Sequence, residues 1–158
     1  MSHHTDSAVS ESVEMYLKEI YLLSRDGGPA RTGAIADRLD VSPPSVTQML
    51  SRLQDEGLLE YQKRRGASLT ADGTEQARDL LAKHCLIERF LVDGLGVTEG
   101  FHEEACRLEH ALSDDVAARL TRYVQRREAC PDCYDAEAKH CRHLSPTAGS
   151  NDHSKGKP

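Results

Sequence analysis

Residues 32–70 read TGAIADRLDVSPPSVTQMLSRLQDEGLLEYQKRRGASLT, and this stretch decides the fold of the N-terminal half. Apolar residues recur at helical spacing in 32–39, and a second helix is predicted over 42–56. Ser42 is a suitable N-cap for that second helix, and the two prolines after it stand where a missing N–H costs nothing. Gly57 is predicted to end the helix in the left-handed conformation. The stretch therefore begins with two short, consecutive helices.

The residues around these two helices complete a recognisable pattern. Upstream, residues 13–24 (VEMYLKEIYLLS) predict a first helix. Downstream, the strand-like runs 58–62 and 67–70 flank a compact basic tip, KRRG at 63–66. Three helices followed by a two-stranded wing are typical of a winged helix-turn-helix.

The second half of the chain is predicted to be helical. Apolar residues at helical spacing extend over 71–95, 99–110 and 113–127, and hydrophobicity then falls towards the C-terminus. The expected fold class is mainly α, with a winged helix-turn-helix followed by an all-helical region.

Composition excludes several classes of protein. The 158 residues carry a net charge of −6 with 38% hydrophobic residues and no Trp. No run approaches the roughly 20 apolar residues of a membrane span, so we expect a cytoplasmic protein without membrane association. The acidic balance argues against a polycation that coats nucleic acid, but it leaves room for a specific DNA reader with a locally basic surface.

The start of the second predicted helix of the motif carries residues that read DNA bases. In a winged helix this end of the helix meets base edges in the major groove. Glutamine pairs with adenine, Ser and Thr donate or accept hydrogen bonds, and proline packs on a thymine methyl group. A simple helix start is the alternative for each residue alone, but the order of elements favours binding to double-stranded DNA. The candidate residues are Ser42, Pro44, Ser45, Thr47 and Gln48.

Metal-ligating side chains share one face of a predicted helix in the second half. His102, Cys106, Glu109 and His110 stand at offsets 0, +4, +7 and +8, which form a narrow stripe at about 100° per residue. Imidazole, thiolate and carboxylate together suit a divalent transition metal. The alternative is a polar face with a core cysteine, in which the Glu and His side chains are solvated.

The preceding helix adds two further candidate ligands. His84 and Glu88 are four residues apart and therefore share a helix face. Their presence favours metal binding over the alternative of a solvated polar face.

With these motifs in place, the chain resembles the DtxR family of metal-dependent repressors across nearly all of residues 12–127. The resemblance implies a homodimer that binds an operator, with a helical dimerisation domain after the winged helix and two metal sites per subunit. The segments that carry it are VEMYL at 13–17, IADRL at 35–39, SPPSVTQ at 42–48, EGL at 56–58 and, most specifically, HEEACRLEH at 102–110.

The resemblance divides the ligands into two sets. Met15 with Cys106, Glu109 and His110 is expected to form the site that triggers DNA binding. An ancillary site is expected to contain His84, Glu88 and His102.

The same resemblance favours Fe²⁺ as the corepressor, with Mn²⁺ as the alternative and other divalent transition metals as substitutes. Manganese-responsive members carry carboxylates where this chain has Met15 and Cys106, and an acid where it has Lys18. Sulfur donors are softer and suit Fe²⁺ better than Mn²⁺. We therefore expect the chain to be an iron-responsive repressor of metal-uptake genes and not an enzyme.

The expected organisation has four parts: a flexible tail over 1–11, a DNA-binding domain over 12–72, a metal-binding and dimerisation domain over 73–128, and a Cys/His-containing extension over 129–158. We expect no counterpart of the SH3-like domain of iron-responsive members.

The extension contains four further donors whose role stays open. They would form a compact four-ligand metal knuckle or a redox-sensing cluster, or they are incidental. These residues are Cys130, Cys133, His140 and Cys141.

Two other functions compete with a metal-responsive repressor. A metalloenzyme or metal-storage protein would use the same donors, but it would need an open cleft with a general base beside the metal. A winged-helix regulator that senses redox state or an organic ligand would leave the donors incidental.

Overall fold

The computed structural model describes residues 3–124 and 134–141, in which there are six α-helices and two small antiparallel sheets. The chain divides after Ala82 into two compact units. The mainly helical fold class is confirmed. The elements are α1 (His3–Leu23), α2 (Thr32–Leu39), α3 (Pro43–Asp55), β1 (Leu59–Gln62), β2 (Gly66–Leu69), α4 (Ala71–Arg89), α5 (Phe101–Leu108), α6 (Asp114–Tyr123), β3 (Tyr134–Asp135) and β4 (His140–Cys141).

The first unit is organised around a core that α1, α2 and α3 share with the wing. Aliphatic side chains at helical spacing are removed from water on all three helices, and this burial is the main favourable contribution to folding. The fully buried large members of the core are Leu17, Ile20, Ile35, Val46, Leu50, Leu53 and Leu59.

The ends of α3 follow from its sequence. The Ser42 hydroxyl accepts a hydrogen bond from the Ser45 N–H at 3.4 Å, and both prolines lie in the first turn. At the other end Gly57 has φ +75°, so the chain leaves the helix through the left-handed region, where glycine avoids steric strain. The predicted cap and stop of this helix are therefore confirmed.

The wing is a hairpin whose base is tied to the segment before α2. β1 and β2 pair antiparallel with Leu59 opposite Leu69, and residues 63–65 form an exposed tip. The backbones of Ala30 and Ala67 exchange two hydrogen bonds of 2.8 Å, which adds a bridge to the two predicted strands.

Three helix boundaries differ from the sequence prediction. α1 begins at His3, so residues 3–11 are helical and not a loose tail. No Gly or Pro interrupts this stretch, and each residue added to an existing helix gains a hydrogen bond without a new nucleation cost. α4 passes into a π-helical turn at Phe90–Gly94, and α5 begins at Phe101, after Gly100 in the left-handed region.

Within the described residues, no helix combines the length and the apolar character required to cross a bilayer.

The wing predicts a specific sensitivity at one glycine. Gly66 has φ +112°, and a Cβ there would meet the carbonyl oxygen of Ala30 at less than van der Waals distance. We expect Gly66→Ala to lower the free energy of unfolding by roughly 3 kcal/mol through backbone strain and overpacking. Gly33, with helical φ and open space around it, is the matched control. Gly33→Ala should raise stability by about 0.5–1 kcal/mol, and equal urea midpoints for the two variants would contradict the argument.

Candidate metal centre and nucleic-acid interface

The candidate metal centre lies in the second unit and is built on His84 of α4. His84 and Glu88 are one helical turn apart, and both side chains are fully buried. The two ring nitrogens of His84 face different carboxylates: Nδ1 lies 2.5 Å from Glu109 Oε2, and Nε2 lies 2.8 Å from Glu88 Oε1. The imidazole therefore joins α4 to the end of α5.

α5 contributes an imidazole and a thiol to the same cluster. His102 Nδ1 lies 3.2 Å from Glu88 Oε1. Cys106, one turn further along α5, places its Sγ 3.6 Å from His102 Nε2 and 3.9 Å from His84 Nδ1. A short helix thus presents two donors towards the fixed pair on α4.

The donor atoms of His84, His102 and Cys106 all lie within 4.8 Å of one another. In a tetrahedral site with metal–nitrogen bonds near 2.0 Å and metal–sulfur bonds near 2.3 Å, such atoms are roughly 3.5 Å apart. Two imidazoles, a thiol and adjacent carboxylates are chemically suited to a divalent transition metal. The residues present therefore fit such an ion.

The pKa values of both imidazoles in this network are raised. Burial by itself lowers the pKa of His84, but hydrogen bonds with Cys106, Glu109 and Glu88 outweigh it and raise the pKa to about 10. Hydrogen bonds with Cys106 and Glu88 raise the pKa of His102 to about 9 against a smaller effect of burial. Without a metal, both imidazoles are therefore cationic near neutral pH.

The acidic partner Glu88 shows the complementary effect. Burial by itself raises its pKa, but hydrogen bonds from His102 and His84 outweigh burial, and the pKa lies below the usual value for glutamate. The buried charges of the network are therefore of opposite sign and paired.

The other predicted ligands occupy distinct positions. His110, just after α5, is half-buried, and its Nε2 lies 3.5 Å from Glu109 Oε1. Met15 lies half-buried on α1, in the first unit, and its role as a ligand stays a prediction. The division into a triggering and an ancillary site also stays a prediction. The residues that the structure connects in one network are His84, Glu88, His102, Cys106, Glu109 and His110.

Sequence reasoning missed two contributions from the C-terminal extension. The Tyr134 ring stands edge-on to His84 with 5.3 Å between ring centroids, and the Cys141 N–H donates to Glu88 Oε2 at 3.1 Å. A backbone N–H leaves no signal in residue identity, and the tyrosine is 50 residues away along the chain. Of the predicted knuckle, Cys130 and Cys133 lie outside the described residues.

The candidate DNA-reading residues lie together at the start of α3. Ser42, Pro44, Ser45 and Gln48 are exposed, and Thr47 is half-buried.

Hydroxyl groups at this end of α3 are already engaged locally. The hydroxyls of Ser42 and Ser45 are 2.8 Å apart, and Thr47 Oγ1 donates to the Pro43 carbonyl oxygen at 3.1 Å. Arg52, further along α3, donates to Glu56 Oε1 at 2.8 Å. The exposed carboxamide of Gln48 is therefore the best-placed group for reading a base, and the wing tip offers the exposed positive charge.

The chain matches two family models in succession. Residues 8–67 match the model described as iron dependent repressor, N-terminal DNA binding domain, and residues 70–135 match the iron dependent repressor, metal binding and dimerisation domain.

Three similar proteins illustrate the range of relatives. The iron-dependent repressor IdeR of Mycobacterium tuberculosis is 41% identical over 122 residues, which are 77% of this chain and 53% of IdeR. An uncharacterised helix-turn-helix transcriptional regulator of Methanocaldococcus jannaschii is 40% identical over 120 residues, 75% of this chain and 96% of the relative. The solved structure of the manganese regulator SloR is 40% identical with a TM-score of 0.64, covering 75% of this chain and 56% of SloR. The chain thus spans about half the length of IdeR and SloR.

The protonated network predicts that metal binding depends strongly on pH. A metal and a proton compete for the same imidazole nitrogen, and both imidazoles are protonated below their raised pKa values. We expect Mn²⁺ affinity to rise with pH up to about 9–10, with release of about two imidazole protons at pH 7.5. Calorimetry in buffers of different ionisation enthalpy measures the number of protons released per metal ion bound.

The matched variant is His102→Gln, which should reduce the proton release by about one. Binding with no proton release, or an affinity independent of pH between 6.5 and 8.5, would contradict the protonated network.

Proposed function

The chain belongs to the family of iron-dependent repressors, and from this premise we propose that it is a metal-responsive transcriptional repressor with Fe²⁺ as its corepressor. The family is one of DNA-binding regulators and not of enzymes. The observation that carries the proposal is the cluster of buried His84 with half-buried His102 and Cys106, whose donor atoms lie within 4.8 Å of one another. The same chain contains a winged helix-turn-helix, through which metal binding at the cluster would change DNA binding.

The proposed mechanism begins with the hydrogen bonds that join α4 to α5. His84 donates to Glu88 on its own helix and to Glu109 after α5, so both helices depend on the protonation of one ring. A bound cation supplies positive charge and directional bonds in place of these protons. His84, Glu88, His102 and Cys106 would hold such a cation, and because these residues lie on both α4 and α5, its binding would bias how the two helices are joined.

We propose Met15, Cys106, Glu109 and His110 as the triggering ligands and His84, Glu88 and His102 as the ancillary ones. The resemblance to the DtxR family supports this division. In the structure Cys106 and Glu109 contact His84 of the other set, so the two sets adjoin one another.

The chain acts as a homodimer in this proposal, which the exposed apolar residues of the second unit support. α6 contains no buried residue. Its apolar side chains Val116 and Tyr123 are 48% and 69% exposed, and they lie seven residues apart on one face. Leu95 and Leu108 are also exposed, at 61% and 44%. Exposed apolar surface of this kind is typical of a protein–protein interface. In a dimer, two copies of α3 would meet successive major grooves about one helical turn apart.

Recognition of double-stranded DNA is assigned to the start of α3 and to the wing. Gln48 offers a bidentate contact to adenine, while Ser42, Ser45 and Thr47 offer single hydrogen bonds, and Pro44 an apolar contact to a thymine methyl. The exposed tip at 63–65, with sequence Lys-Arg-Arg, would contact phosphates. Its contacts with phosphates would make the affinity depend on salt, and the net charge of −6 would keep non-specific binding weak.

The first test measures DNA binding against metal. Operator fragments are selected by a genome-wide footprint and titrated anaerobically with Fe²⁺, Mn²⁺ or chelator at fixed salt. We expect at least a tenfold gain with Fe²⁺ over chelator, which corresponds to about 1.4 kcal/mol. Gln48→Ala should weaken operator binding by about 1–3 kcal/mol and leave non-specific binding unchanged.

Gln76→Ala, at an exposed glutamine on α4, is the matched control and should bind as the wild type does. Affinity indifferent to metal would refute the proposal. Regulation that survives Cys106→Ala combined with His110→Ala would favour a regulator that senses redox state or an organic ligand.

The second test addresses iron against manganese. Cys106 and Met15 supply soft sulfur donors, so the double variant Met15→Asp and Cys106→Glu should shift the preference of DNA binding from Fe²⁺ towards Mn²⁺ by about tenfold or more. Both metals are titrated on the wild type, each single variant and the double variant. An unchanged Fe²⁺/Mn²⁺ ratio in a folded double variant would show that these two donors do not set the preference.

A further inference from the structure

The C-terminal extension returns to the cluster as a small hairpin, residues 134–141. Tyr134 pairs with Cys141 and Asp135 with His140 in an antiparallel register. Residues 136–141 lie beyond the family match, which ends at 135, so most of this hairpin is a feature of this chain and not of the family model. Two residues per strand are too few for a hairpin to be stable alone in water, so its position depends on what it packs against.

The hairpin packs against the buried cluster of the second unit. Tyr134 is buried, and its ring meets the edge of the His84 ring. Cys141 is fully buried, and its N–H donates to Glu88 Oε2 at 3.1 Å. Both strands of the hairpin therefore touch a candidate ligand.

The two oxygens of Glu88 serve different partners. Oε1 faces His84 Nε2 and His102 Nδ1, whereas Oε2 accepts the hydrogen bond of the Cys141 N–H. A carboxylate with one oxygen held by the backbone has a fixed rotation, and its other oxygen points to the centre of the cluster. Groups that orient a metal ligand in this way typically change metal affinity by 10- to 100-fold.

We propose that the hairpin 134–141 is the outer wall of the metal centre and that the Cys141 N–H is a positioning group for Glu88. The backbone N–H holds Oε2 and keeps Oε1 on the side of His84 and His102, where it would bind the cation. Metal occupancy and docking of the extension are then coupled in both directions, because each favours the same orientation of Glu88. This inference rests on the proposed metal binding.

The first experiment compares Cys141→Pro with Cys141→Ala in the full-length chain. Proline removes the N–H, whereas alanine keeps the N–H and removes the thiol. Mn²⁺ affinity is measured by calorimetry, and Co²⁺ absorption bands report the coordination sphere. We expect Cys141→Pro to lose 10- to 100-fold in Mn²⁺ affinity with altered Co²⁺ bands, and Cys141→Ala to lose clearly less because it keeps the N–H.

Three results of this comparison would count against the proposal. Equal affinity in Cys141→Pro and wild type would overturn the positioning role. A loss in Cys141→Ala as large as in Cys141→Pro would assign the effect to the thiol and overturn it too. Absence of Mn²⁺, Co²⁺ and Fe²⁺ binding in the wild type would overturn the proposed function itself.

A double-mutant cycle separates positioning from a simple loss of structure. If the N–H acts through Glu88, adding Cys141→Pro to Glu88→Ala should cause no further loss of Mn²⁺ affinity. A further tenfold loss in the Glu88→Ala background would show that the proline acts by unfolding the hairpin, and it would overturn the proposal.

Hydrogen exchange in the metal-free protein gives a readout that needs no metal. Glu88→Ala should accelerate exchange of the Cys141 amide at least tenfold, because its acceptor is gone. Glu104→Ala, at an exposed glutamate on α5, is the matched control and should leave this amide unchanged. Unchanged exchange in Glu88→Ala would contradict the hydrogen bond on which the proposal depends.

Discussion

The second unit depends on one imidazole that faces two carboxylates. A buried ionised glutamate is strongly unfavourable unless a positive charge and hydrogen bonds compensate it, and His84 supplies both to Glu88 and Glu109. Loss of one partner from a buried ion pair costs several kcal/mol because the remaining charge is left uncompensated. The network therefore constrains α4 and the end of α5 to one another before any metal is considered. His102 and Cys106 then take positions that this pair has already fixed.

The sequence predicted those parts of the molecule that local chemistry controls. The cap at Ser42, the stop at Gly57 and the exposed basic tip of the wing each depend on a few adjacent residues, and all three are present. The placement of His102 and Cys106 on neighbouring turns also follows from helical periodicity. In these cases the physical cause lies within one or two turns of the residue concerned.

Features that depend on distant residues or on the backbone escaped prediction. Periodicity places Glu109 on a helical stripe, but it cannot show that a histidine 25 residues earlier will meet its carboxylate. The start of α1 at His3 reflects propagation from a helix already held by the core, and polar composition alone does not forbid it. The Cys141 N–H illustrates the limit most clearly, since any residue except proline would provide the same donor.

The contacts of His84 with Glu88 and Glu109 also explain how the cluster can be stable both without a metal and with one bound, as proposed. In the metal-free protein the positive charge resides on His84 and His102, whose raised pKa values keep them protonated. A divalent cation held by these residues would supply the same charge to the same carboxylates, so Glu88 and Glu109 would remain compensated. The buried acids consequently do not require the metal in order to fold, in contrast to small domains in which metal binding and folding are one event. The cation would bond to His84, His102 and Cys106 in place of the hydrogen bonds between the ring and the carboxylates. A site of this kind would suit sensing, because the groups that would hold the cation are the same ones that join α4 to the end of α5.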